Sequence, residues 1–220
     1  SMKKLFSLCC MVFFLLHANA QMDLKNPLPS DPKVRTGTFS NGMKYYIRQN
    51  SKPEKRAEFR LAVNAGSTSE NDDQQGLAHL VEHMAFNGTK NFKKNELVDY
   101  LESVGTKFGA HLNAYTSFDE TVYMIQLPTD SETIVNKGIQ ILEEWAHSLA
   151  FDSLEVEKER GVVVEEWRLG QGADERMRRK YWPVLFKDSR YAERLPIGKK
   201  EIIEGCTQAT LRNFYKDWYR

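Results

Sequence analysis

The chain has 220 residues, with 31 lysines and arginines against 30 aspartates and glutamates, for a formal net charge of +1. That balance excludes a global electrostatic reason to expect nucleic acid or an anionic membrane surface as a partner. A hydrophobic content of 41% and a charged content of 28% suit a soluble globular chain of one large domain or two small ones.

Lys3 and Lys4 precede the apolar run LFSLCCMVFFLL, and Ala18, Asn19 and Ala20 supply a small-residue ending. This pattern predicts a secretory signal peptide over residues 1–20, hence an exported protein of the periplasm or cell envelope. The run is too short to cross hydrocarbon comfortably, so no stable membrane insertion is expected after cleavage. Cys9 and Cys10 fall in this segment, which leaves Cys206 alone in the mature chain and no internal disulfide. Cys206 reads as an inert residue near a helix start.

Residues 21–36 read as a linker without periodicity, and residues 37–220 as one domain. Asn41-Gly42 between short β-prone runs marks a hairpin. RAEFRLAVNAGS alternates and then runs apolar, predicting a strand that ends at Gly66. Asp72 or Asp73 is placed to cap the next helix, which passes through His79 and His83 and stops at Asn87-Gly88. Leu97, Tyr100, Leu101 and Val104 give an amphipathic helix stopped by Gly105. LNAYTSFDETVYMIQLP holds two strand-like runs closed by Pro128. A long helix follows, packing Ile134, Ile141, Leu142 and Trp145. Asp152 and Glu155 open another through VEKERGVVVEEWRLG. ADERMRRK reads only as a polar segment and YAERLPIG as turn-rich chain. A last helix stripes Leu211, Phe214, Tyr215 and Trp218. Strands and helices mix without regular βαβ alternation, which predicts an α+β fold.

At about 100° per residue, Leu77, Leu80, Val81 and Met84 share one helix face, and His79, Glu82 and His83 share the opposite one. Imidazoles four residues apart project side by side and can hold one zinc through their ring nitrogens. A carboxylate between them can act as general base. A solvated polar face is the competing reading, although the small and apolar flanks AHL and HMAF favour partial enclosure. Two histidines need at least one more protein ligand. Downstream, Glu159, Val162, Val163 and Glu166 form a stripe of buried spacing with carboxylates at both ends. Long glutamate stems snorkelling at the edge of an amphipathic helix would give the same spacing.

H-x-x-E-H is the inverted zincin motif. Together with LNAYTSFDETVY, ERGVVVEEW and RLPIG in that order, it makes the chain resemble the M16 family of zinc metallopeptidases, and most of all its bacterial envelope members. The resemblance runs from about Val34 to Arg220. It implies a largely antiparallel sheet packed by helices on one side. It also implies one zinc per chain, with His79, His83 and Glu166 as ligands, Glu82 as general base and Glu159 as a supporting carboxylate. Hydrolysis of short or unfolded polypeptides through a metal-activated water follows from it. Asn113, Ala114 and Tyr115 match the family's edge strand, where substrate backbone adds as another strand.

Two departures are visible. His83 and Glu166 lie 83 residues apart, longer than the family's usual gap. The local ER…E register selects Glu166 as ligand, with Glu159 as the alternative. The sequence also stops at DWYR, before the strand expected to complete the domain, so the second half of an M16 chamber is expected from a missing C-terminal part or a partner chain. A non-catalytic scaffold of the same fold is the rival reading, and a purely structural zinc domain a third. The complete set of four groups argues against the first. Glu82, which has no task at a closed metal site, argues against the second.

Overall fold

A computed structural model describes residues 29–219, so the signal-peptide reading lies outside the described residues. The chain divides into two compact units, Ser1–Ser51 and Lys52–Arg220.

In the first unit, strands β1 (Val34–Thr38) and β2 (Lys44–Arg48) pair antiparallel, with Val34 opposite Arg48 and Thr38 opposite Lys44. The turn runs through Asn41-Gly42 as the sequence predicts. Gly42 sits at φ +87°, where a side chain is strained, and the Asn41 carboxamide oxygen accepts from the Met43 N–H. β1 begins three residues before the predicted domain boundary. Val34, Arg35 and Thr36, which read as linker, are held by the ladder to β2, a partner that local periodicity does not reveal.

The second unit is built on a three-stranded antiparallel sheet of order β3-β5-β4, from β3 (Arg56–Val63), β4 (Leu112–Thr116) and β5 (Thr121–Pro128). The alternation in RAEFRLAV sorts cleanly. Phe59, Leu61 and Val63 turn toward the core with Tyr123, Ile125 and Leu127 of β5, while Arg56, Glu58 and Arg60 face water. The described strand pairs are all antiparallel, and a single parallel bridge joins Phe108 to Leu112.

Helix α1 (Leu77–Met84) carries the His-Glu-His face, and α2 (Glu96–Ser103) follows. α3 (Glu132–His147) lies on β3 and β5 and buries Ile141 and Trp145. It approaches closely enough that a Cβ on Gly138 would meet Leu127 Cδ1 at 2.3 Å. α4 (Ser153–Leu169) packs on α1, and the Asp152 carboxylate caps it by accepting from the Leu154 and Glu155 N–H groups, as the sequence implies.

ADERMRRK, which reads as merely polar, forms the start of helix α5 (Ala173–Leu185). Glu175 pairs with Arg178 and Arg179 one turn on, so local charge pairs sustain a helix that an eight-residue polar window does not reveal. α6 (Lys200–Gly205) and α7 (Gln208–Trp218) complete the unit. In α7, Leu211, Phe214 and Tyr215 are buried as predicted, whereas Trp218 is partly exposed. Cys206 follows α6, buried, with its thiol donating to the Ile203 carbonyl oxygen.

Both ends of α1 are pinned, the C-terminal end by residues remote in sequence and the start by a nearby acidic side chain. At its C-terminal end, the Trp145 indole donates to the Ala85 carbonyl (2.9 Å), and the Tyr215 hydroxyl donates to the Trp145 carbonyl (2.9 Å). At its start, the Glu70 carboxylate accepts from the Gly76 and Ala78 N–H groups (3.0 and 2.9 Å). Asp72 and Asp73 therefore do not cap α1. They belong to a separate short 3₁₀ turn, and the free N–H groups are met by an acidic side chain from further upstream. Arg190 and Arg194 both donate to the Glu70 carbonyl, and the Ser67 hydroxyl donates to the Arg194 carbonyl. Gly76 sits at φ +105° against Gly198, where a Cβ on Gly198 would lie 2.3 Å from Gly76 Cα, so the chain closes on α1 without side chains between.

Glu70 is wholly buried, and burial pushes its carboxyl up to about 8 against the opposing hydrogen bonds from Ala78 and Gly76 and the charges of Arg194 and Arg190. A carboxyl whose folded-state pKa is raised contributes stability that is present below its ordinary value of 4.5 and is lost as pH rises through about 8. Glu70→Gln keeps an acceptor for the two N–H groups and removes the titration. Its denaturant midpoint should fall less than the parent's between roughly pH 5 and roughly pH 9. Equal slopes would show that Glu70 does not change its proton occupancy on folding.

Candidate metal centre and cleft

α1 presents two faces, as its spacing predicts. Leu77, Leu80, Val81 and Met84 are fully buried in the core. The opposite face is enclosed rather than solvated: the His79 and His83 side chains keep only 17% and 16% of their exposure, and Glu82 is buried. What encloses it is α4, which crosses α1 and places Glu159 and Glu166 against the histidines.

The two carboxylates take different sides of His83. Glu159 Oε1 lies 2.7 Å from His83 Nδ1. A carboxylate only accepts, so Nδ1 carries a proton, and in the neutral imidazole Nε2 presents a lone pair. Nε2 faces His79 Nε2 at 3.1 Å, and both nitrogens lie 3.6 Å from Glu166 Oε2. A tetrahedral zinc about 2.0–2.1 Å from three donors spaces them by roughly 3.4 Å. The donor separations and the N,N,O chemistry of His79, His83 and Glu166 therefore fit one such ion. The stripe Glu159, Val162, Val163, Glu166 is only half buried. Val163 and Glu159 face inward, whereas Val162 and Glu166 border a cleft and are partly open to water.

The proton equilibria follow from this enclosure. Burial, with the charge of His83, holds the His79 imidazole down to about 4 against the opposing charge of Glu159. Burial also works against the charged form of His83, but the bond to Glu159 and the charges of Glu82, Glu166 and Glu159 outweigh it and raise its pKa. For Glu159 the burial effect is overcome by bonds from His83 and Asn87 and by the charges of His83 and Lys94, which keep the carboxyl below its ordinary range. Glu82 is pushed up by burial, with Glu166 adding to it and His83 and Thr116 opposing.

The cleft has a volume of about 740 Å³. His79, Glu82, His83, Glu159 and Glu166 share it with Asn113, Ala114 and Tyr115, so every site residue expected from the sequence lies on one surface. β4 forms one wall. Its ladder partner among the described residues is β5, and beyond the Phe108 bridge at Leu112 its other edge is unpaired there. Tyr115 is partly exposed, with its hydroxyl donating to Glu120 Oε1 (2.8 Å).

Two further residues join the site. The Asn87 carboxamide donates to Glu159 Oε2 (2.8 Å) and to the His83 carbonyl (3.1 Å). It lies four residues after His83, as His83 lies four after His79, so its position on the same face is visible in the sequence, where it reads only as a helix stop. The Thr116 hydroxyl donates to Glu82 Oε2 (3.0 Å). Only the sheet's placement beside α1 brings those two together.

A family profile described as "Insulinase (Peptidase family M16)" matches residues 45–181. The probable zinc protease PqqL of Haemophilus influenzae is 39% identical over the full chain, which covers 24% of that protein. The probable zinc protease PqqL of Escherichia coli is 42% identical over 88% of the chain and 21% of its own length. The crystal structure of the periplasmic protease PqqL from Escherichia coli superposes with a TM-score of 0.84 at 41% identity, covering 89% of this chain and 22% of that one. The chain thus spans about a quarter of the length of these relatives. Pitrilysin, at 20% identity and a TM-score of 0.71, shares the fold.

Proposed function

The chain belongs to peptidase family M16, the insulinase family, and from that membership we propose that it carries the zinc site of an endopeptidase acting on short or unfolded polypeptides. The observation that carries the reading is the convergence of His79 Nε2, His83 Nε2 and Glu166 Oε2 beside Glu82. Zinc, when bound, supplies Lewis acidity to the scissile carbonyl and to a water. Glu82 takes the proton of the attacking water and delivers it to the leaving amine. Glu159 fixes the His83 tautomer, and Asn87 holds Glu159 in turn, so the donor atoms keep their aim.

Substrate backbone adds to the open edge of β4 at Asn113, Ala114 and Tyr115, where main-chain hydrogen bonds bind and side-chain contacts select. The remaining three quarters of a PqqL-length protein, in the same chain or a partner, supply the opposite wall of the chamber. The exported location proposed from residues 1–20 agrees with the periplasmic description of the Escherichia coli relative.

The test is metal removal from the whole protein. Elemental analysis should give about one zinc per chain, chelation should abolish cleavage of a quenched peptide, and added zinc should restore it. Zinc-independent binding of polypeptides without cleavage would favour the scaffold reading.

A further inference from the structure

The geometry points to Thr116 as the positioning residue that aims the Glu82 carboxylate, an inference that rests on the peptidase reading. Glu82 is buried, and among the described residues the Thr116 hydroxyl is the hydrogen-bond donor that reaches its side chain, at Oε2. Thr116 Oγ1 also lies 3.4 Å from Thr121 Oγ1, its register partner on β5. Thr121 has no proton to spare, because its hydroxyl donates to the Ala65 carbonyl (2.8 Å). Thr121 can then only accept from Thr116. Glu82 Oε2 at 3.0 Å is a nearer acceptor than Thr121 Oγ1 at 3.4 Å, so the Thr116 proton goes to Glu82. One carboxylate oxygen is tethered to the sheet, and Oε1 is left for the cleft.

The placement of the tether matters as much as its existence. Thr116 ends β4, the strand whose open edge is assigned to substrate. Side chains alternate along it: Asn113 and Tyr115 are exposed, whereas Ala114 and Thr116 turn toward the core side with Leu112. A polypeptide that pairs with the main chain of β4 leaves the Thr116 side chain where it is. The strand that locates the scissile bond therefore also locates the base. Losing the hydroxyl frees the carboxylate to rotate about its last torsion without altering the surface that binds substrate. A misaimed base lowers the chemical step and leaves binding alone.

The experiment uses the whole protein. Thr116→Val keeps the shape and β-propensity of the side chain and deletes the hydroxyl. Its kcat should fall by about 10- to 100-fold, the range of one hydrogen bond to a charged group, while KM stays within about twofold. Zinc content should match the parent, and the variant should still unfold in one cooperative denaturant transition. Thr116→Ser, which restores the donor, should recover most of kcat. In a Glu82→Gln background, Thr116→Val should add no further loss, a result that a general weakening of the fold would not give. A kcat within about twofold of the parent, a loss in KM instead, or no recovery by Thr116→Ser overturns the assignment. If the parent itself shows no zinc-dependent cleavage, the peptidase reading fails first and this inference falls with it.

Discussion

Glu82→Gln should lower peptide hydrolysis by about 10²- to 10⁴-fold, the range attributed to a positioned acid–base group, while retaining about one zinc per chain. The separation of the two effects follows from the geometry. Glu82 lies on the face of α1 that carries His79 and His83, but its carboxylate is held by Thr116 on the sheet side and is not among the three converging donors. Glutamine preserves the size and the acceptor for the Thr116 hydroxyl. It removes only the capacity to take up and release a proton. Elemental analysis beside steady-state kinetics checks the pair of outcomes, and retained turnover would remove Glu82 as base.

Glu166→Ala and Glu159→Ala should differ in kind. Glu166 Oε2 lies at equal distances from both Nε2 atoms, so its loss leaves two donors and should bring zinc content close to zero after dialysis. Glu159 approaches His83 from the far side, at Nδ1. Its loss leaves three donors in place and frees the His83 ring to turn. That should weaken zinc affinity by about 10- to 100-fold without abolishing it. Competition with a chelating dye separates the two. The reverse order would mean that Glu159, the alternative ligand by residue count, is the one that holds the metal.

How much of this is legible in the sequence depends on the range of the interaction. The split of α1 into a core face and a His-Glu-His face needs only the helical period, and it holds residue by residue. The Asp152 cap and the Asn41-Gly42 turn are written within four residues of where they act. The α1 cap is not: Glu70 reaches past two nearer aspartates because Arg190 and Arg194 grip its backbone from 120 and 124 residues away. Thr116 and Glu82 are 34 residues apart and share no pattern that a period could detect. The enclosure of the polar face belongs to the same class, since it is made by α4 crossing α1. Helix α5 escapes for a different reason. Its apolar residues Met177, Tyr181, Val184 and Leu185 are largely exposed in this unit, so no core stripe announces it.

The pinning of α1 at both ends has a consequence for the order of assembly. The Glu70 backbone is gripped by Arg190 and Arg194, and the C-terminal pin includes Tyr215, so α1 is translated more than a hundred residues before the last of its supports. Contacts of that span form late, after the loop-closure entropy has been met. A chain that emerges from its N-terminus onward has the contacts of α1 with β4, β5 and α4 available before those with α7. The setting of His79 and His83 is thus completed only near the end of this unit.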